Sequence, residues 1–111
     1  MSKGNHFGDL ELLVMLALVR LDQHAYGVSI AREIEEAGKR QVALGSVYAA
    51  LERLQEQGLV KSAMGEATPE RGGRAKRYFQ ITGSGLRELQ ATRKTLISMW
   101  QDVPTLEGGK A

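Results

Sequence analysis

Between residues 10 and 21 the chain reads LELLVMLALVRL, with ten apolar side chains in twelve. So dense a run leaves almost no polar face, which predicts a helix buried on nearly all sides. Gly8-Asp9 supplies its start, with Asp9 placed to accept from the first free backbone amides, and Asp22-Gln23-His24 breaks the pattern after Leu21. A second helix begins near Tyr26-Gly27 and carries Val28, Ile30, Ala31 and Ile34 toward Gly38, a natural stop residue, with Arg32, Glu33, Glu35 and Glu36 on its polar side. A third helix fits residues 44–57, where Val47, Leu51 and Leu54 form one apolar stripe and Gly58 closes the element. Its other side carries Ser46, Ala49, Arg53 and Gln57, with Tyr48 at the edge of the stripe.

From Leu59 the period changes. Residues 59–64 and 77–81 are short, partly alternating runs separated by Gly, Pro and charge, the pattern of a hairpin with a long loop over residues 65–75. Two strands alone are marginal, so this hairpin is expected to pack on the helices. Thr82 then caps a fourth helix that runs to about Asp102, before Pro104 and Gly108-Gly109. Leu86, Leu89, Leu96, Trp100 and Val103 lie on its three-four repeat, whose one polar member is Arg93, and that seam predicts a helix-packing face. The expected fold is mainly α with a small β-hairpin. Residues 1–81 form a winged helix-turn-helix region, 82–103 a C-terminal dimerisation helix in the same domain, and 104–111 a flexible tail.

Composition narrows the chemistry. The chain has 111 residues, one domain's worth, with 25% charged residues and enough Leu, Val and Ile to fold. It has no cysteine, which excludes disulfides, Cys zinc sites, iron–sulfur clusters and thiol nucleophiles and fits a reducing cytosol. His6 and His24 stand 18 residues apart without a metal-binding motif, so no metal and no cofactor is expected. Gly83-x-Gly85 lacks the third glycine of a dinucleotide loop, no Walker motif occurs, and no Ser, His and Asp form a recognisable nucleophile set. The chain is not expected to be an enzyme. The first apolar run is too short for a membrane span, which needs about 20 residues, and Asp9, Glu11 and Arg20 border or interrupt it. A soluble, cytoplasmic protein at the nucleoid is expected.

The net charge of +2 hides an asymmetry: residues 1–70 carry a balance of −3 and residues 71–111 one of +5. Most of the excess sits in Arg71-Gly72-Gly73-Arg74-Ala75-Lys76-Arg77. Three helices followed by a long-looped hairpin is the order of a winged helix-turn-helix, with the third helix positioned for the major groove and the loop as wing. Phosphate binding calls for Lys and Arg on an exposed segment, and adjacent glycines let the backbone approach a duplex closely. Ser46, Tyr48, Ala49, Arg53, Arg71, Arg74, Lys76 and Arg77 are therefore the candidate DNA contacts, Ala49 only toward a thymine methyl. The apolar surplus of the first and fourth helices points to a homodimer joined through Leu12, Met15, Leu86, Leu89, Leu96, Trp100 and Val103.

Leu44-Gly45-Ser46-Val47-Tyr48-Ala49-Ala50-Leu51-Glu52-Arg53-Leu54, Gly58-Leu59-Val60, the Gly72-Gly73-Arg74 run to Phe79, and Ile81-Thr82-Gly83-Ser84-Gly85 together resemble the PadR family of bacterial transcriptional regulators. Tyr26-Gly27 fits as well, and the resemblance extends from about residue 10 to 103. It implies a dimeric winged-helix repressor released from operator DNA by a small molecule or stress signal. The single last helix resembles the short subfamily, some of whose members stack flat aromatic compounds between paired tryptophans at the dimer interface. Trp100 is the candidate for that stacking part, and Trp100 and Met99 are the candidate walls of a pocket expected between the first and fourth helices, suited to a planar, apolar or cationic effector. Two rival readings are a winged helix docking on an acidic protein partner and a ligand-sequestering protein without specific DNA binding.

Overall fold

In the computed structural model, which describes residues 7–65 and 75–104, the N-terminal apolar run forms α1 (Asp9–Leu21). Its start is held by a residue other than the expected one. The Gly8 amide donates to the Glu11 carboxylate at 3.0 Å, one half of a capping box, whereas Asp9 instead pairs with Arg40 at 3.0 Å. A short 3₁₀ turn (Asp22–His24) leads into α2 (Gly27–Gly38), whose first turn is fastened by the Ser29 hydroxyl accepting from the Tyr26 amide at 2.9 Å. The left-handed residue that ends α2 is Lys39, at φ 59°, one place beyond the glycine that the sequence suggests. Then follow α3 (Leu44–Glu56), β1 (Val60–Met64), β2 (Arg77–Ile81) and α4 (Gly83–Trp100).

The core is the meeting of three helical stripes. Val14, Met15 and Leu18 of α1, Ile30 and Ile34 of α2, and Val47, Ala50, Leu51 and Leu54 of α3 are buried together, with Leu59, Val60 and Phe79 closing one side from the hairpin. Each large side chain so buried contributes about 1.5–3 kcal/mol of transfer free energy. Only one side of α1 takes part. Leu16 and Val19 remain 43% and 46% exposed, so the expectation of a helix covered nearly all round does not hold for the single chain. Met15 lies on the covered side, fully buried in the chain's own core, and so offers no surface to a partner; its assignment to a dimer face is corrected. Leu89 is likewise buried within the chain, against the edge of the same core.

The strands pair antiparallel with Val60 opposite Ile81 and Met64 opposite Arg77, and the Gly65 amide extends the ladder to the Lys76 carbonyl at 2.7 Å. The far edge of β2 is also engaged. The extended residues before α2 run alongside it, the Phe79 amide donating to the Ala25 carbonyl at 2.9 Å and Tyr26 bridging Tyr78. The hairpin thus gains a third, two-residue partner, which relieves the weakness of two strands alone. Residues 66–74 of the loop, including Arg71 and Arg74, lie outside the described residues.

Thr82 and Gly85 lock α4 onto the turn after α3. The Thr82 hydroxyl accepts from the Gly85 amide at 3.0 Å and donates to the Gly58 carbonyl at 2.8 Å, while the Thr82 amide donates to the Leu59 carbonyl at 3.0 Å. A Cβ on Gly85 would collide with the Leu59 carbonyl oxygen, a backbone atom that cannot swing aside. The Thr-x-x-Gly start of the helix is therefore a docking motif as well as a cap. Gly85→Ala is expected to cost about 1–3 kcal/mol of stability through overpacking, read as a lower urea midpoint at unchanged slope; an unchanged midpoint would show that the two backbones are not held in contact.

Candidate nucleic-acid interface and groove

The first turns of α3 project away from the core. Ser46 and Ala49 are exposed and Tyr48 is 41% exposed, whereas the intervening Val47 and Ala50 are buried, so the stripe and the free face separate as their spacing requires. Tyr48 leans across the start of α2. A Cβ on Gly27 would collide with its ring and hydroxyl, and its ring centroid lies 6.5 Å from that of Phe79 in β2. Glycine at 27 is thus the absence of a side chain where an aromatic ring from α3 needs the space.

Tyr48 shares a concavity of about 250 Å³ with Tyr26, Val28, Ala75, Lys76 and Arg77. Three elements meet there: the N-terminus of α2, the first half of α3, and the base of the wing. Tyr48, Lys76 and Arg77 are therefore brought together, with Ser46 and Ala49 exposed on the same helix as Tyr48. An N-terminal helix turn, a phenol and two cations form a surface suited to a negatively charged backbone. Lys76 is held with its ammonium 3.8 Å from the centroid of the Tyr26 ring.

Arg53 does not join this group. It stands in the last turn of α3, where its guanidinium makes a hydrogen-bonded ion pair with Glu11 of α1. Among the described residues, Glu11 is the one charged residue in the core, 8% exposed. Burial pushes its carboxyl up, but the hydrogen bond from Arg53, the amide of Gly8 and the attraction of the guanidinium together outweigh burial and hold it below the usual 4.5. Arg53 thus ties α3 to the N-terminus of α1, a use that its place on the polar side of α3 did not disclose. The available signal was at the other end: Glu11 is the third helical residue after Gly8, the capping-box position.

A second feature lies along α1 and α4. A groove of about 650 Å³ runs between them, lined by Leu12, Leu16, Leu89, Gln90, Arg93, Leu96, Ile97, Trp100 and Gln101. Its walls are almost wholly apolar, and Trp100 is 70% exposed. Leu12, Leu89, Leu96 and Trp100 were expected on such a face; Leu16 and Ile97 were not, although Leu16 follows Leu12 by one helical turn. Leu86, Met99 and Val103 are exposed but do not line the groove of the single chain. Among the described residues there is no cluster of three potential metal ligands, and no helix is long and apolar enough to cross a membrane.

Comparison with known proteins agrees with this geometry. The model of the transcriptional regulator PadR-like family matches residues 15–91. A PadR-like transcription factor from Bacteroides fragilis superposes with a TM-score of 0.72 at 28% identity, over 83% of this chain and 84% of that one. A PadR family transcription regulator from Clostridium difficile R20291 gives 0.68 at 23% identity, over 83% and 91%. A PadR-like transcriptional regulator from Bacillus cereus gives 0.66 at 23% identity, over 81% and 84%. No curated protein matches the chain significantly.

The Glu11–Arg53 pair sets an acid dependence with a definite sign. A carboxyl whose pKa is lowered by folding contributes stability that is present above its unfolded value and is lost as pH falls through the folded value, here below 4.5. Glu11→Gln should lower stability at pH 7 by about 1–2 kcal/mol, toward the lower end for a charge-assisted hydrogen bond because Arg53 is half exposed. It should also flatten the stability loss between pH 5 and pH 3 (roughly the range of a glutamate titration), measured by urea unfolding across that range. An equally steep acid loss in the variant would assign it to other carboxylates.

Proposed function

Since the chain belongs to the PadR-like family of transcriptional regulators, we propose that it is a homodimeric repressor that binds an operator in double-stranded DNA and is released by a small-molecule effector. The observation that carries the DNA-binding part is the convergence of Tyr48, Lys76 and Arg77 on one concavity beside the exposed start of α3. In this reading Ser46 and Ala49 enter the major groove, Tyr48, Lys76 and Arg77 contact phosphates, and Arg71 and Arg74 extend the grip from the wing. Two such heads on one dimer read half-sites about one helical turn, or a multiple of it, apart. Arg53 keeps the recognition helix on α1 rather than contacting DNA. The chain acts as a binding protein with no catalytic role, in the cytoplasm at the nucleoid.

The dimer part rests on the apolar side of α4. Leu86, Leu96, Ile97, Trp100 and Val103 are all 39% exposed or more in the single chain, a concentration that calls for a partner. A second copy laying its α4 against the exposed side of α1 covers both surfaces at once, by the packing mode of antiparallel helices. The effector part rests on the groove, whose apolar walls and indole suit a planar, apolar molecule. Such a ligand releases DNA to the extent that it binds better to the dimer whose recognition helices are wrongly spaced.

Two outcomes are expected. In sedimentation, the protein should be a dimer at micromolar concentration and Leu96→Glu should shift it toward monomer; a monomeric wild type would defeat the dimer reading. In titrations of operator and random duplexes at several salt concentrations, Lys76→Ala should weaken binding to both and reduce the log–log salt slope by about 0.9, one phosphate's worth, whereas a slope equal to that of the wild type would leave Lys76 without a phosphate contact.

A further inference from the structure

Lys76 occupies an unusual setting for a surface lysine. It is half-buried, it directly precedes β2, and among the described residues it makes no ion pair with a carboxylate. What holds its ammonium is the face of Tyr26, 3.8 Å away at the centroid. The difference matters for binding an anion. A carboxylate that positioned this lysine would also neutralise it, while an aromatic face attracts the ammonium through its quadrupole and leaves the full positive charge available.

Tyr26 is itself placed by its neighbours. Its backbone is extended, its amide donates to the Ser29 hydroxyl at 2.9 Å, and its carbonyl accepts the first hydrogen bond of α2 from Ile30 at 2.8 Å. Across the sheet edge it bridges Tyr78, and the two rings meet edge to face with centroids 5.6 Å apart. The ring that carries Lys76 is therefore fixed from α2 and from β2 together. The next residue, Gly27, makes room for Tyr48. One dipeptide at the head of α2 so sets the place of a phenol from α3 and of a cation from the wing.

We propose that Tyr26 is a positioning residue for DNA binding: its ring pre-orders the Lys76 ammonium, uncancelled, at the concavity where the wing meets α2 and α3. This deepens the DNA-binding reading and rests on it. A flexible lysine loses rotamer freedom when it meets a phosphate, and a ring that has already restricted it removes part of that loss.

The test compares Tyr26→Leu, which keeps apolar bulk without a π face, Tyr26→Phe, which keeps the face without the hydroxyl, Lys76→Ala, and the Tyr26→Leu/Lys76→Ala double variant. The probe is a random-sequence 30-base-pair duplex (about three helical turns) titrated at several salt concentrations. Lys76→Ala should reduce the log–log salt slope by about 0.9, Tyr26→Leu should weaken binding about two- to fivefold at each salt concentration through lost pre-ordering, the double variant should bind no more weakly than Lys76→Ala alone, and Tyr26→Phe should match the wild type. In the free protein, the Lys76 ε-methylene protons should show an upfield ring-current shift that Tyr26→Phe retains and Tyr26→Leu abolishes; this reading needs no DNA and does not depend on a folded Tyr26→Leu variant if the wild type and Tyr26→Phe are measured. A wild-type Lys76 without that shift overturns the proposal. So does a Tyr26→Leu variant with unchanged affinity beside a weakened Lys76→Ala, or additive losses in the double variant. A wild type that binds no duplex, with the ring-current shift intact, overturns the DNA-binding reading and the functional role of Tyr26 with it.

Discussion

The close approach of α4 to the turn after α3 decides how the rest of the molecule can be used. Because Gly85 has no side chain, the first turn of α4 lies directly on the Leu59 carbonyl, and the Thr82 hydroxyl joins the same turn from the other side. Leu89 is the last residue of α4 that the chain's own core buries, and beyond it the helix runs alongside α1 with its apolar positions uncovered. The groove between α1 and α4 follows from this one contact, since a helix anchored only at its first turns leaves a gap along the remainder. The uncovered apolar surface of α4 and the groove beside it therefore have a single geometric origin.

The core helix α1 links that groove to α3. Leu12 and Leu16 line the groove, Val14 and Met15 sit in the core, and Glu11 holds Arg53 at the end of α3. One helix thus touches α3 through a charge-assisted hydrogen bond and the groove through its apolar side. A shift of α1 cannot leave α3 untouched unless the Glu11–Arg53 pair breaks, and a buried carboxylate without its partner is costly. The groove and α3 are physically adjoining parts of one unit.

At the other end of α3, aromatic side chains do the ordering. Tyr48 rests over Gly27, Tyr26 meets Tyr78 edge to face, and Lys76 sits on Tyr26. Aromatic packing places polar groups without neutralising cations, so the basic character read in residues 71–77 survives folding at Lys76. Arg53 shows the opposite arrangement, because its charge is matched by Glu11.

The order and type of the elements, the Val47-Leu51-Leu54 stripe and the Thr82 cap were legible in the chain itself, because helix period, turn chemistry and caps depend on residues within a few places of one another. The resemblance carried by the Ser-x-Tyr helix and the Thr-x-x-Gly start was equally local, and the match over residues 15–91 bears it out. Only the tertiary structure decided that Met15 belongs to the inner side of α1, that Leu16 and Ile97 join the groove while Met99 does not, and that Arg53 turns to a carboxylate 42 residues away. A uniformly apolar helix has no period from which its buried side can be chosen, and an ion pair or a ring contact between distant segments leaves no spacing in the chain. Those choices are made by which surfaces meet when the helices pack, and they are what turned a list of basic and aromatic residues into one site at the wing and one groove behind it.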